Sequence, residues 1–86
     1  MDRVWFVYIV MCSDNTLYTG ITQDLERRVR EHNTSNGKCA RYIRTRRPVH
    51  LVYSEIQPTR KNALHREAAI KRFSKKRKLQ LIEDFS

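Results

Sequence analysis

Val4-Trp5-Phe6-Val7-Tyr8-Ile9-Val10-Met11, then Ser13-Asp14-Asn15, then Leu17-Tyr18-Thr19-Gly20-Ile21 open the chain and decide how it folds. The two outer runs are rich in β-branched and aromatic residues, and the three residues between them favour turns. This order predicts a β-hairpin. With the turn centred on Asp14, Tyr8 falls across from Gly20 and Val10 across from Tyr18. The two tyrosines then share one face of the sheet, diagonal to each other, at a distance aromatic side chains can span. Gly20, lacking a side chain, leaves a notch opposite Tyr8. A turn longer by one residue would send the tyrosines to opposite faces, and ordinary amphipathic strand tyrosines fit the same pattern.

The next segment breaks a simple rule. In Asp24-Leu25-Glu26-Arg27-Arg28-Val29-Arg30-Glu31-His32, residues Leu25, Arg28, Val29 and His32 fall on one helical stripe. Leu25 and Val29 mark that stripe as facing the core, so a guanidinium and an imidazole point the same way. Breaks in the binary pattern are expected at functional sites. A snorkelling arginine beside a satisfied, half-buried histidine is the ordinary structural account.

Outward from there, the helix starts near Asp24 or Thr22, either able to cap it, and stops around Asn33 to Gly37. Cys39 to Arg47 reads as a basic connector with a short helical turn, ended by Pro48. Val49 to Glu55 reads as a third strand. From Thr59 a helical run begins with Ala63, Ile70 and Phe73 on its apolar side. Ser74-Lys75 marks a break before a last helix carrying Leu79, Leu81 and Ile82. Mixed strands and helices with an antiparallel first pair predict an α/β (α+β) sandwich on a small sheet, one domain over residues 1–86.

The charge is lopsided. The 86 residues carry 18 Lys and Arg against 9 Asp and Glu, a formal net charge of +9. Between Lys38 and Lys78 fourteen basic residues face only Glu55 and Glu67. Such asymmetry points to a polyanion, and nucleic acid is the commonest. Arg41, Arg44, Arg46 and Arg47, then Lys75, Lys76, Arg77 and Lys78, are the expected phosphate tracks. A membrane partner is disfavoured because the basic segment lacks large apolar anchors. Val4 to Met11 is too short to span a bilayer, and it makes a weak signal peptide because Asp2 offsets Arg3 and Ser13-Asp14-Asn15 stands where a small-residue cleavage site would be needed. Cys12 and Cys39 lack metal-site spacing, and reduced thiols in a cytoplasmic protein are the simplest expectation.

Phe6-Val7-Tyr8, then Tyr18-Thr19-Gly20, then Arg28 and His32 on the first helix and Glu67 on a later one form an ordered set. That set resembles the GIY-YIG endonuclease family, in its small stand-alone branch, from about Val4 to Ile82. The resemblance implies a central three-stranded antiparallel sheet flanked by helices, and hydrolysis of phosphodiester bonds dependent on Mg²⁺ or Mn²⁺. It favours DNA ahead of RNA and a role in DNA repair or processing. Under it, Tyr8 would deprotonate the attacking water and Tyr18 would orient that nucleophile. Gly20 would allow close approach of phosphate or backbone. Arg28 would stabilise transition-state charge, His32 would position Tyr8 or share proton transfer, and Glu67 would hold the metal. Three departures stand out. The first triplet lacks Gly and Ile, Ile21 replaces a lysine common in repair-type relatives, and no Asn follows Glu67. Glu67 also suits a plain i, i+4 pair with Lys71. The alternative is therefore a catalytically silent nucleic-acid-binding module that keeps the fold. A basic accessory subunit docking on an acidic protein is a third.

Overall fold

The computed structural model describes residues 3–85. Strands β1 (Trp5–Met11), β2 (Leu17–Thr22) and β3 (His50–Gln57) form one antiparallel sheet in the order β2-β1-β3. Helix α1 (Leu25–Thr34) lies between β2 and β3 in sequence, and α2 (Arg60–Lys71) and α3 (Lys75–Phe85) follow β3. This is the expected α/β arrangement.

The hairpin has the register its turn residues predict, with Tyr8 opposite Gly20 and Val10 opposite Tyr18. Its three-residue turn closes through Cys12 N–H on Thr16 O at 2.8 Å, with Asn15 at φ 66°, where a short polar side chain tolerates a left-handed backbone. The Asp14 carboxylate accepts from both the backbone N–H and the hydroxyl of Thr16. β1 is central, so Val7, Tyr8, Ile9 and Val10 are all buried, which explains a run that is apolar throughout rather than alternating.

Two cores form, one on each face of β1. Tyr8, Val10, Cys12, Ile43 and Val49 pack under α1 and the following loop. Val7 and Ile9 pack with Ala63 and Ile70 of α2, and with Leu81 and Ile82 of α3. The helices begin where the short polar residues stand. Asp24 caps α1 by accepting from Arg27 N–H at 3.0 Å, Thr59 caps α2 by accepting from Asn62 N–H, and the Ser74 hydroxyl accepts from Arg77 N–H. Of the two candidate caps for α1, Asp24 therefore serves, while Thr22 braces it from behind.

Both boundaries of β3 differ from the expected Val49 to Glu55, since it starts one residue later and runs on to Gln57. Strand β3 starts at His50 because the Asn33 side chain occupies both backbone groups of Val49: its amide donates to Val49 O at 2.9 Å and its carbonyl accepts from Val49 N–H at 2.7 Å. A bulge between Ile9 and Val10 then offsets the β1–β3 pairing. The stretch 40–46 makes short turns, as expected of the connector, and it drives Ile43, fully buried, into the core beneath α1. Among the described residues no helix is long and apolar enough to cross a membrane.

Candidate active site

The helical stripe and the hairpin meet. Tyr8 Oη lies 2.8 Å from His32 Nε2, a buried contact across 24 residues of sequence, and Tyr8 and His32 are 1% and 0% exposed. The notch at Gly20 is filled rather than open: a Cβ placed there would stand 2.6 Å from Tyr8 Oη. Glycine thus lets the phenol lie flat across β2 and reach α1. Tyr18, on the same face, sets its ring edge-on to His32 with centroids 5.6 Å apart.

The orientation of the imidazole follows from its other nitrogen. Ala40 N–H donates to His32 Nδ1 at 3.3 Å. Burial, the Arg28 guanidinium and Arg47 push the His32 pKa down to about 4, so the ring is neutral at pH 7. A neutral ring that accepts at Nδ1 carries its one proton on Nε2. His32 therefore donates to Tyr8 Oη, and the Tyr8 hydroxyl proton points elsewhere. Of the two roles the motif left open for His32, this hydrogen bond fits positioning.

Tyr8 is pushed up to about 12, chiefly by burial, with Tyr18 and Glu67 adding to the rise and Arg28 opposing it. At pH 7 roughly one phenol in 10⁵ would be ionised. Arg28 is the group positioned to improve that. Its guanidinium is held by donation to Lys38 O at 2.6 Å and by Glu31 Oε1 at 3.3 Å. It acts on the Tyr8 oxygen from the same stripe of α1 as His32. Glu67 sits half-buried on α2, 3.4 Å from Lys71 Nζ, and its charge is felt at Tyr8. Lys71 and Lys78 in turn line a groove of about 280 Å³ with Leu17, Tyr18, Thr19 and Tyr42. Tyr8, Tyr18, Arg28 and His32 thus form one cluster, with Glu67 at its electrostatic edge.

The basic residues sort by what holds them. Arg47 donates to His32 O at 2.6 Å, Ser35 O at 2.8 Å and the Asn36 side chain at 2.8 Å, which satisfies the open carbonyl end of α1. Three of its five N–H donors are thus engaged within the protein. Arg44 donates to Asn36 O, and Arg46 donates to Tyr42 O while approaching Asp14 at 3.2 Å. Lys75 reaches Asn15 O at 3.3 Å, and Arg77 lies over the Phe73 ring at 4.1 Å. Arg41 and Lys76 are exposed, and Lys78 turns into the tyrosine groove. Sequence reasoning missed Tyr42, whose ring stacks on Tyr18 at 6.1 Å. The signal was present: one aromatic residue set among Arg41, Arg44 and Arg46.

The GIY-YIG catalytic domain matches residues 4–80. The chain belongs to the GIY-YIG family. A UPF0213 protein of Desulfotalea psychrophila is 57% identical over 83 residues, 95% of this chain and 74% of that one. A UPF0213 protein of Staphylococcus aureus is 51% identical over 79 residues, 92% of this chain and 94% of that one. Two solution NMR structures share the fold. One is a UPF0213 protein from Bacillus halodurans (TM-score 0.58, 38% identity, 93% of this chain and 83% of that one). The other is a protein from E. faecalis (TM-score 0.64, 34% identity, 99% of this chain and 91% of that one). The two triplets of the ordered set, Phe6-Val7-Tyr8 and Tyr18-Thr19-Gly20, lie within that match on adjacent antiparallel strands. The family is of nuclease type, and GIY-YIG nucleases act on nucleic acids and generally depend on a divalent metal.

The buried histidine has a consequence for stability. His32 has a folded pKa near 4, below the 6.5 of a free histidine, so between those values the unfolded chain binds a proton that the folded chain refuses. Its contribution is complete above pH 6.5 and is lost as pH falls toward 4. We expect up to about 3 kcal/mol of stability to disappear across that window. Urea unfolding at pH 7.5 and 4.5 reads it. The loss should shrink in His32→Gln, and an undiminished loss there would assign it to carboxylates.

Proposed function

We propose that the protein is a metal-dependent endonuclease that hydrolyses phosphodiester bonds in nucleic acid, DNA ahead of RNA, with residues 1–86 acting as one nuclease domain in DNA repair or processing. The observation that carries this reading is the Tyr8–His32 hydrogen bond of 2.8 Å beside the Arg28 guanidinium. A structural tyrosine needs one partner. This one has a neutral N–H donor and a cation acting on a single oxygen, two interactions that favour the phenolate against the burial that raises its pKa.

In that reading His32 holds the Tyr8 oxygen and offers it a proton donor, so negative charge developing there is matched on one side by N–H and on the other by Arg28. Tyr8 takes the proton of the attacking water. Tyr18, edge-on to His32, orients that water from the strand alongside. Arg28 also faces the charge that grows on the phosphoryl oxygens. Burial of the cluster strengthens each of these terms by excluding solvent.

Among the described residues no group of three His, Cys, Asp or Glu side chains forms a closed metal cage. Glu67 nevertheless fits a single-point anchor for a hard divalent ion, because Mg²⁺ keeps much of its water shell and takes phosphate oxygens as further ligands. It is half-buried and is the one acid among nine basic residues in 60–78. Bound at Glu67, Mg²⁺ or Mn²⁺ would supply charge neutralisation at the departing oxygen. The Glu67–Lys71 pair favours a second reading, a silent nucleic-acid-binding module, since Lys71 already neutralises the carboxylate at 3.4 Å. Two buried free thiols, Cys12 and Cys39, are consistent with a cytoplasmic protein.

The test is direct. Purified protein with Mg²⁺ or Mn²⁺ should nick labelled DNA, and EDTA should abolish the products. Salt-dependent binding with no metal-dependent product would favour the silent module. Absence of binding even at low salt would sink both.

A further inference from the structure

Tyr42 is unexplained by the nuclease chemistry. It is 40% exposed, although a tyrosine in this loop could have turned inward beside Ile43. Its ring stacks on Tyr18 at 6.1 Å and 23°, and the Arg46 guanidinium lies over it at 3.9 Å from the ring centroid. Arg46 is fixed in that pose by donation to Tyr42 O at 2.7 Å and by Asp14 at 3.2 Å. The result is a column of planar groups that starts at Tyr18 in the site and continues outward into solvent. Beside the column, Lys71 and Lys78 wall the same groove.

We propose that the Tyr42–Arg46 pair forms a stacking platform for one unpaired nucleobase, which lies on the outer face of the Arg46 guanidinium backed by the Tyr42 ring, next to the scissile phosphate, with Lys71 and Lys78 holding the flanking phosphates. Flat faces beside a cationic groove are how proteins bind single strands without reading sequence, because every base has a π-face. Guanidinium planes serve as well as aromatic rings for this purpose. Duplex DNA keeps its bases stacked on one another, so it has no free face to offer. The groove therefore favours a single-stranded, frayed or flapped segment. Arg46 then acts through its plane rather than as a phosphate contact.

The inference rests on the nucleic-acid reading of the site, but its test is independent of cleavage. Binding of fluorescent single-stranded oligo(dT), oligo(rU) and a duplex of equal length is followed by anisotropy in EDTA, across a salt series. Tyr42→Leu and Arg46→Lys should each weaken single-strand binding about tenfold, with duplex affinity and salt slope unchanged. Tyr42→Phe should bind as the parent does. Lys78→Ala should lower the salt slope by about one. The tighter of the deoxy and ribo arms identifies the strand that supplies the base. Photocrosslinking of the unaltered protein to a 5-iodouracil oligonucleotide should place the adduct on the segment that carries Tyr42 and Arg46. Equal single-strand affinity in Tyr42→Leu, equal losses on single strand and duplex, or adducts confined to other segments would overturn the platform. A protein that never cuts can still pass this test, and one that cuts can still fail it.

Discussion

Tyr8→Phe should lower the cleavage rate roughly 10²- to 10⁴-fold, the range expected when a general base is removed. The substitution deletes one oxygen and leaves the ring over Gly20, so the sheet and the site keep their shape. Nucleic-acid affinity measured in EDTA should stay within about twofold, because the phosphate contacts lie on other residues. The fold should also weaken by about 1–3 kcal/mol, since His32 Nε2–H loses its acceptor in a fully buried position. In the parent protein the rate should climb with pH between about 6 and 9, because Tyr8 ionises near 12 and its phenolate fraction rises tenfold per unit below that value. Tyr8→Phe should flatten this rise. Cleavage at the parent rate by Tyr8→Phe would remove Tyr8 from the chemistry, and a pH profile that survives the substitution would assign the titration to another group.

The second large effect separates catalysis from binding by sign. Glu67→Ala should reduce metal-dependent cleavage by roughly 10²-fold or more, by analogy with the loss of a single electrostatic stabiliser. Its binding to nucleic acid without metal should become tighter, because Lys71 loses its partner at 3.4 Å and the protein gains a net positive charge. Few substitutions move affinity up and rate down together. Glu67→Gln keeps the shape and should behave like Glu67→Ala in both respects, with cleavage at millimolar Mn²⁺ no better restored. Parent-level cleavage in Glu67→Ala would expose a contaminating nuclease or a site that needs no carboxylate. Reduced binding without metal would show that the Glu67–Lys71 pair orders the groove rather than restraining Lys71.

Much of the site is legible in the sequence because its parts obey short-range rules. Side chains alternate along a strand with a period of two, so a turn centred on Asp14 implies that Tyr8 meets Gly20 and shares a face with Tyr18, and the sheet has that register. The spacing of Leu25, Arg28, Val29 and His32 settled that the guanidinium and imidazole leave α1 on its inner side. Asp24, Thr59 and Ser74 announced the helix starts through their own hydroxyl and carboxylate oxygens.

Other features depend on how a loop returns, and no local rule reaches that far. Ala40 N–H approaches His32 Nδ1 from eight residues away, and this decides which nitrogen carries the proton. Arg47 returns fifteen residues to His32 O, so a side chain that reads as a phosphate contact also caps a helix. Gly20 reads as an open notch, but the phenol across from it fills the space. Tyr42 joins Tyr18 only because Ile43, its neighbour, is buried in the core and turns the loop outward. Periodicity and capping energies act over one to four residues, and they specified the strands, the helices and the inward stripe. Hydrogen-bond direction, the pKa of His32 and the choice of which arginines remain available arise from desolvation and contacts between distant segments, which exist only once the chain has closed on itself.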